Sequence, residues 1–418
     1  MKVLWFCNTP ASGAEYLGIK DIRGGWLKSL DKLLGHHVNL HVVFEYPKKS
    51  FEFEYNGISY YPICPSSNLI AIFKIVKNLF YQEFIDDQLK EKYLKVIQKV
   101  KPDIIHIHGT ENSFSVILKS NLRIPIVVSI QGNSIVYNYK YFHGLPKELS
   151  NKLNYSSFFS FLTTKSYGNI YKISQKSASR EQKYIELHKN IIGRTDWDRR
   201  ITSILSPGRS YFHNDEVLRD SFYEKQWRPK RDLDLVIIHS TIGSNYFKGL
   251  ESILLASYLL TKYGLKHQWK VAGVVKNDLI VKISKKYLNI PSIDRSIIYL
   301  GNISELDLVE NLLNSHIYVM PSHIENSPNN LCEAMILGMP CISTNAGGSS
   351  SLITDKVDGL LIQNGDPWSM AGAIVEFCED FDKAIDYGKK ARIRALQRHS
   401  KEKIVRDLLE IYKNCLKQ

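Results

Sequence analysis

The chain is 418 residues long, 44% apolar and 23% charged, the make-up of a soluble globular protein of two or three domains with ample buried core. No apolar run approaches the roughly 18 to 20 residues that cross a bilayer. The six scattered cysteines form no C-x-x-C, which excludes a disulfide scaffold and suits core thiols in a reducing cytoplasm.

The net charge of +13 points toward anionic partners. Through Glu224 there are 30 Lys and Arg against 21 Asp and Glu; beyond it, 25 against 21. The excess lies in the first half. No helix-turn-helix, zinc-finger or RNP signature accompanies it, so nucleic acid is not expected. Phosphate-bearing substrates, an anionic membrane surface or a lysine-rich solvated face all fit.

In chain order, MKVLWFCNTP has too short an apolar segment for a signal peptide and reads as a first strand, Lys2 to Cys7. A glycine-bearing loop leads to Arg23-Gly24-Gly25, which opens a helix with Leu27, Leu30, Leu33 and Leu34 at helical spacing. Glycines at a helix start let N–H groups approach a diphosphate; a plain turn is the alternative. The pattern is not G-x-G-x-x-G, and a nicotinamide cofactor has no other support. His37 to Tyr46 reads as a strand, and FEFEYNGISYYPI as a hairpin turning at Asn56-Gly57. Ser66 to Lys99 reads as two helices, the first apolar with lysines interspersed, facing either the core or a membrane interface.

KPDIIHIHG and IPIVVSIQG read as buried parallel strands ending at His108-Gly109 and Gln131-Gly132. His106 and His108 share a face, with His108 at the mouth. Tyr155 to His188 reads as helical. Asn190 to Asp198 reads as strand then loop, with Arg194 and two acids at its exit. Trp227 to Arg231, basic and proline-bearing, reads as a linker. Beyond it, strands near Leu235, Trp269 and Ile297 alternate with helices near Gly249, Asn277 and Ser304, which implies a parallel sheet covered on both faces. Helices around Asp382 to Gln397 and Lys401 to Lys417 close the chain.

The richest stretch is YVMPSHIENSPNNLCEAMILGMPCISTNAGG, Tyr318 to Gly348. A short strand enters a polar loop, a helix begins near Asn330 and stops at Gly338, and a second strand runs into Gly347-Gly348. Glu325 lies in the loop and Glu333 on the helix. An acid and a helix start are thus brought to the carboxyl end of a strand, where open α/β sheets bind ligands. Free N–H groups near Asn330 and Leu331 suit a phosphate, and Glu333 suits a ribose diol. Two solvated acids on a surface loop would be the bland alternative.

The ordered string Pro-Ser, Glu-x7-Glu, Glu-Ala-Met, Gly-x-Pro, Gly-Gly resembles the retaining nucleotide-sugar glycosyltransferases of family 4. The resemblance implies an α/β GT-B fold: two Rossmann-like domains facing across a cleft, with a C-terminal helix returning to the first. The expected bounds are 1–224 (acceptor-binding), a linker at 225–232, 233–396 (nucleotide-sugar-binding) and a helix at 397–418. Glu325 resembles the family acid near the donor sugar, Glu333 the ribose ligand, and Lys248-Gly249 the family Lys-Gly that meets the diphosphate. Gly24 and Gly25 match the glycine loop, the Asn302–Ile303 backbone would read the base, and Ser327, Asn330 and Leu331 line the donor loop. Many members carry a histidine beside the donor sugar where this chain has Gln131, which hydrogen-bonds but exchanges no proton. Ile242 stands where the family usually has an arginine; Arg23, Arg194 or Lys276 are candidate replacements, and His108 is a further candidate catalytic group.

The implied reaction moves a hexose-type sugar from a UDP or GDP sugar to a glycan or lipid-linked glycan with retention, in cell-surface polysaccharide synthesis. No metal or other cofactor is expected. Rival readings are a metal-dependent transferase using Asp196-x-Asp198 or Asp232-x-Asp234, a sugar-nucleotide epimerase, and a non-enzymatic sugar-nucleotide-binding scaffold. A basic series with Lys74, Lys77, Lys90, Lys92, Lys95 and Lys99 suggests peripheral attachment to the cytoplasmic leaflet.

Overall fold

A computed structural model describes residues 1–19, 25–65, 82–146 and 167–417. Arg23, Gly24, the apolar helix with Lys74 and Lys77, and the start of the Tyr155 stretch lie outside them. The chain divides into two compact units: residues 1–138, 159–217 and 399–418, and residues 139–158 and 218–398.

The first unit is an eight-stranded sheet of β1 (Lys2–Cys7), β2 (Asn39–Glu45), β3 (Phe53–Tyr55), β4 (Ile58–Ile63), β5 (Ile104–His108), β6 (Ile126–Ser129), β7 (Asn190–Gly193) and β8 (Ser210–His213). Its order is β3-β4-β2-β1-β5-β6-β7-β8. All neighbours pair in parallel except β3 with β4. That hairpin turns where expected, with Asn56 at φ 51° and Gly57 at φ 73°. Two successive left-handed residues match the twist of an antiparallel pair. In β1, Val3, Trp5 and Cys7 enter one apolar cluster and Leu4 and Phe6 the other. Burial on both faces is what an uninterrupted apolar strand requires.

The helix Lys401–Leu416 belongs to this unit. Ile404, Leu408, Ile411 and Tyr412 pack with Trp5, Leu27 and Leu30. The Tyr412 hydroxyl accepts from Trp5 Nε1 at 2.9 Å and lies 2.7 Å from His106 Nδ1. The expected return of the C-terminal helix is therefore observed.

The second unit is a six-stranded parallel sheet of β9 (Val236–Thr241), β10 (His267–Ala272), β11 (Ile297–Gly301), β12 (Ile317–Met320), β13 (Cys341–Thr344) and β14 (Leu360–Ile362). The order β11-β10-β9-β12-β13-β14 runs outward from β9 in both directions. The topological switch point thus lies between β9 and β12, where doubly wound sheets leave a crevice at their carboxyl ends.

Three local expectations differ from the structure. The loop after β7 is a helix, Asp196–Leu205, started by a capping box between Thr195 and Asp198; two acids in a first turn favour a helix N-terminus. Strands β8 and β14, each short, stand where no strand was expected. The stretch read as a linker is anchored: Trp227 is buried, its backbone N–H donates to the Leu337 carbonyl at 2.8 Å, and its Nε1 donates to the Ser315 carbonyl at 2.7 Å.

Candidate functional site

The second unit's switch point gathers the residues of the Glu-x7-Glu stretch. After β9 the chain makes a single tight turn, Tyr246–Lys248, before the helix Leu250–Tyr263. Gly249 joins them at φ 75°, pressed against the Pro321 carbonyl so closely that any Cβ would collide. Only glycine satisfies both demands. The Lys-Gly pair therefore sits directly on the loop that follows β12.

That contact delivers Lys248 to Glu325. Lys248 Nζ donates to Glu325 Oε1 at 2.5 Å, and Ser322 Oγ donates to the same oxygen at 2.7 Å. Glu325 is 6% exposed, so the pair is buried and loss of either partner would be costly. The loop is closed from beneath by the Gly-Gly of the motif. Gly348 N–H donates to the Glu325 carbonyl at 3.0 Å, and Gly347, at φ 59°, leaves no room for a Cβ against that carbonyl.

Glu333 is on the helix Asn329–Leu337, which ends at Gly338 with φ 88° as expected. It is not a bare carboxylate. Arg219 Nε donates to Oε1 at 2.7 Å and Arg219 Nη2 to Oε2 at 2.8 Å, the fork-to-fork geometry of the strongest ion pairs. Burial pushes the Glu333 carboxyl up, and the guanidinium opposes that shift. Arg219 lies over the Phe222 ring at 4.7 Å and 3.8 Å from Glu305.

The helix start differs by one residue from expectation. The Leu331 N–H is engaged by the Pro328 carbonyl at 3.0 Å and Asn330 Oδ1 at 2.9 Å. The N–H groups without an intrahelical acceptor are those of Asn329 and Asn330, the first two helical residues. Asn330 Nδ2 also donates to the Thr241 carbonyl at 2.5 Å, tying the helix start to the end of β9. Ser327 is half-buried in the same loop. Asn302 and Ile303 follow β11 at the same sheet edge, where Ser304 caps the next helix by accepting from the Asp307 N–H. Ile242 is buried and Lys276 is exposed. Among the described residues, Arg219 is an arginine beside the site, through Glu333.

The first unit's candidates have other partners. His108 is 1% exposed, and neither ring nitrogen has a hydrogen-bond partner among the described residues. Its ring lies 3.9 Å from His106, 4.4 Å from Trp5 and 5.7 Å from Trp26. Burial holds it well below the usual imidazole range. The expectation of an open mouth position is corrected: the last residue of β5 is inside the unit's core. Gln131 Oε1 accepts weakly from Asn8 Nδ2 at 3.4 Å. Arg194 stacks over Trp26 at 4.3 Å and lies 3.5 Å from Glu216, and Gly25 begins the helix Gly25–Leu34. Asp198, of the D-x-D spacing, accepts from the Arg194 and Thr195 N–H groups and from the Tyr211 hydroxyl. It is a capping residue. Asp232 accepts from the Asp234 N–H at 3.0 Å, and both are exposed.

Three residues were not singled out from sequence. Arg219 carries no signal, being 114 positions from Glu333. Glu251 and His323 had one, each lying within three residues of Lys248 or Glu325. His323 Nε2 meets Glu251 Oε1 at 2.6 Å, and both are buried.

The family model described as "Glycosyl transferases group 1" matches residues 244–394. The N-acetyl-alpha-D-glucosaminyl L-malate synthase of Bacillus anthracis is 30% identical over 128 residues, which are 30% of this chain and 32% of that protein. The alignment thus spans about a third of that relative. Among solved structures, a sucrose-phosphate synthase from Thermosynechococcus elongatus superposes with TM-score 0.72 at 14% identity, covering 99% of both chains. The Anabaena protein HepE, in complex with UDP-glucose, superposes with TM-score 0.65 at 13% identity, covering 99% of this chain and 100% of that one. The fold is GT-B.

Proposed function

We propose that this chain, which carries a glycosyl transferases group 1 domain over residues 244–394, moves a hexose-type sugar from a nucleoside diphosphate sugar to a glycan or lipid-linked glycan, with retention and without a metal. The observation that carries this reading is the buried contact of Lys248 with Glu325 at the switch point between β9 and β12. In the reaction the bond from anomeric carbon to diphosphate oxygen breaks and a bond to the acceptor oxygen forms. The acceptor proton leaves with the diphosphate. The departing charge needs preorganised cations and N–H groups. Lys248 and the Asn329 and Asn330 N–H groups are assigned to it, with the Gly24–Gly25 loop by resemblance. Glu325 faces the positive charge that develops on the sugar. Glu333, whose two oxygens accept from Arg219, retains lone pairs for the ribose hydroxyls. The UDP-glucose complex of HepE supports a uridine donor among the UDP and GDP candidates.

The test is consumption of UDP- and GDP-hexoses in EDTA by the wild type and by Glu325→Gln. The wild type is expected to consume donor. The variant should bind nucleoside diphosphate normally by calorimetry and turn over about 100-fold more slowly. Activity lost in EDTA and restored by manganese would overturn metal independence. Donor bound but never consumed would leave a binding scaffold, and an epimerised sugar nucleotide would make the protein an epimerase.

Placement in cell-surface polysaccharide synthesis, with peripheral attachment to the cytoplasmic leaflet, is proposed on the basic first half. No helix among the described residues is long and apolar enough to cross a membrane. On the helix Gln82–Val100, Lys92 donates to the Cys64 carbonyl, Lys90 meets Asp87 and Lys99 meets Glu52, while Lys95 is exposed. Sedimentation with anionic vesicles should fall as salt rises; equal pelleting with neutral lipid would sink the proposal.

A further inference from the structure

Residues 139–146 belong to the second unit, although the described residues before and after them in sequence belong to the first. They form a strap of two successive turns, closed by His143 N–H to the Lys140 carbonyl at 3.0 Å and Leu145 N–H to the Phe142 carbonyl at 2.9 Å. The strap lies on the turn that presents Lys248. Phe142 is 5.3 Å from Tyr246, ring to ring, and Tyr141 is 6.1 Å from Tyr246 and 6.4 Å from Phe247. The His143 ring meets the His323 ring edge-on at 4.7 Å.

Gly144 is the point of closest approach. At φ 88° its backbone lies over the His323–Glu251 hydrogen bond, and a Cβ there would collide with Glu251 Oε1 and crowd His323 Nε2. A side chain is excluded by the backbone angle and again by the dyad beneath. The dyad is built into the elements that present the catalytic pair. His323 N–H donates to the Phe247 carbonyl at 2.8 Å, one residue before Lys248. Glu251 is in the first turn of the helix that starts after Gly249, and accepts a second hydrogen bond from Ser252 Oγ at 3.0 Å. His323 Nδ1 and Glu251 Oε2 are buried without partners among the described residues. The one hydrogen bond between them therefore compensates two buried polar groups, and its loss would disturb both supporting elements.

We propose that His323 and Glu251 are positioning residues for the Lys248–Glu325 pair, and that the strap, saddled on them through Gly144, must be seated for the pair to hold its geometry. The inference rests on the reading of Lys248 and Glu325 as the reacting pair. It assigns the strap a role in turnover rather than in nucleotide affinity, because Glu333 is held by Arg219 and the helix start is tied to the Thr241 carbonyl.

The experiment compares Gly144→Ala, His323→Ala, their double variant and His323→Gln in the full chain. Gly144→Ala and His323→Ala should each lower kcat about tenfold or more while donor KM stays within about threefold. The double variant should be no worse than either single one. His323→Gln, whose amide can still donate to Glu251, should recover most of the loss. Amide exchange should quicken at Tyr246–Glu251 and at His323 in Gly144→Ala, with β1 and β5 unchanged. Unchanged kcat, multiplying effects in the double variant, or unchanged exchange at those amides would overturn the proposal. If wild type turns over no donor, the functional reading fails by itself and the exchange measurement still decides the seating. Should Gly144→Ala fail to fold, the His323→Ala and His323→Gln pair carries the same comparison.

Discussion

The two sheets present comparable carboxyl edges, yet the buried acids beside them are partnered differently. In the second unit, charged groups from separate elements meet at the edge: Lys248 with Glu325, and Arg219 with Glu333. In the first unit, besides the pair of Arg194 with Glu216, two acids hold loops. Glu181 takes the Ser134 N–H at 2.6 Å, the Thr110 hydroxyl and, at 3.4 Å, Asn133 Nδ2, joining the segments that follow β5 and β6. Asp31 takes the Ser12 N–H at 2.8 Å, the Ser12 hydroxyl at 2.6 Å and the Tyr60 hydroxyl at 2.9 Å. A carboxylate saturated by neutral donors fixes a loop. One paired with a cation keeps a local charge arrangement that an anionic ligand can exploit. The same architecture thus yields a chemically poised edge and a locked one.

The largest expected effect breaks the poised edge. Glu333→Ala should raise the nucleoside diphosphate Kd about tenfold or more, through loss of charge-assisted hydrogen bonds of about 1.5 to 3 kcal/mol. Arg219→Ala should weaken binding too. It should also lower stability by up to about 3 kcal/mol, because it strands a buried carboxylate. Calorimetry and denaturant melts measure the two, and unaltered affinity in both variants would remove the site from this edge.

A pH series sharpens the contrast from the other side. Burial pushes Glu181 up to about 7, with Glu111 nearby reinforcing the shift and the Thr110 hydroxyl opposing it. The folded value lies above the ordinary 4.5, so the folded state holds the extra proton. Its stabilisation is complete below about pH 4.5 and is lost as pH rises through about 7. Relative to Glu181→Gln, the wild type should lose up to about 3 kcal/mol between pH 5 and 8.5. A constant difference across that range would mean that Glu181 titrates normally.

The smallest effect is expected at His108. An imidazole with two unpartnered nitrogens among aromatic rings behaves as a packing group. His108→Phe should alter stability by about 1 kcal/mol or less, with turnover within about threefold. A loss of turnover as large as that of Glu325→Gln, with the melting temperature kept, would restore His108 to the chemistry.

Much of this protein was legible locally. The Asn56-Gly57 hairpin, the Ser304 cap, the helix stop at Gly338 and the alternation of strand and helix in the second unit depend on a few neighbouring residues. So does the meeting of loop and helix start at Glu325, because the motif carries its own glycines and prolines. Tertiary structure decided the rest. Arg219 reaches Glu333 across 114 positions. His108 leaves the mouth for the core because Trp5, Trp26 and His106 surround it, and Asp198 becomes a cap because Thr195 precedes it and Tyr211 lies over it. Gly144 looks like any turn glycine until the Glu251–His323 bond beneath it is seen. Spacing along a chain encodes periodic burial and turns, whereas a pairing between distant side chains follows from strand order and packing, which no local pattern specifies.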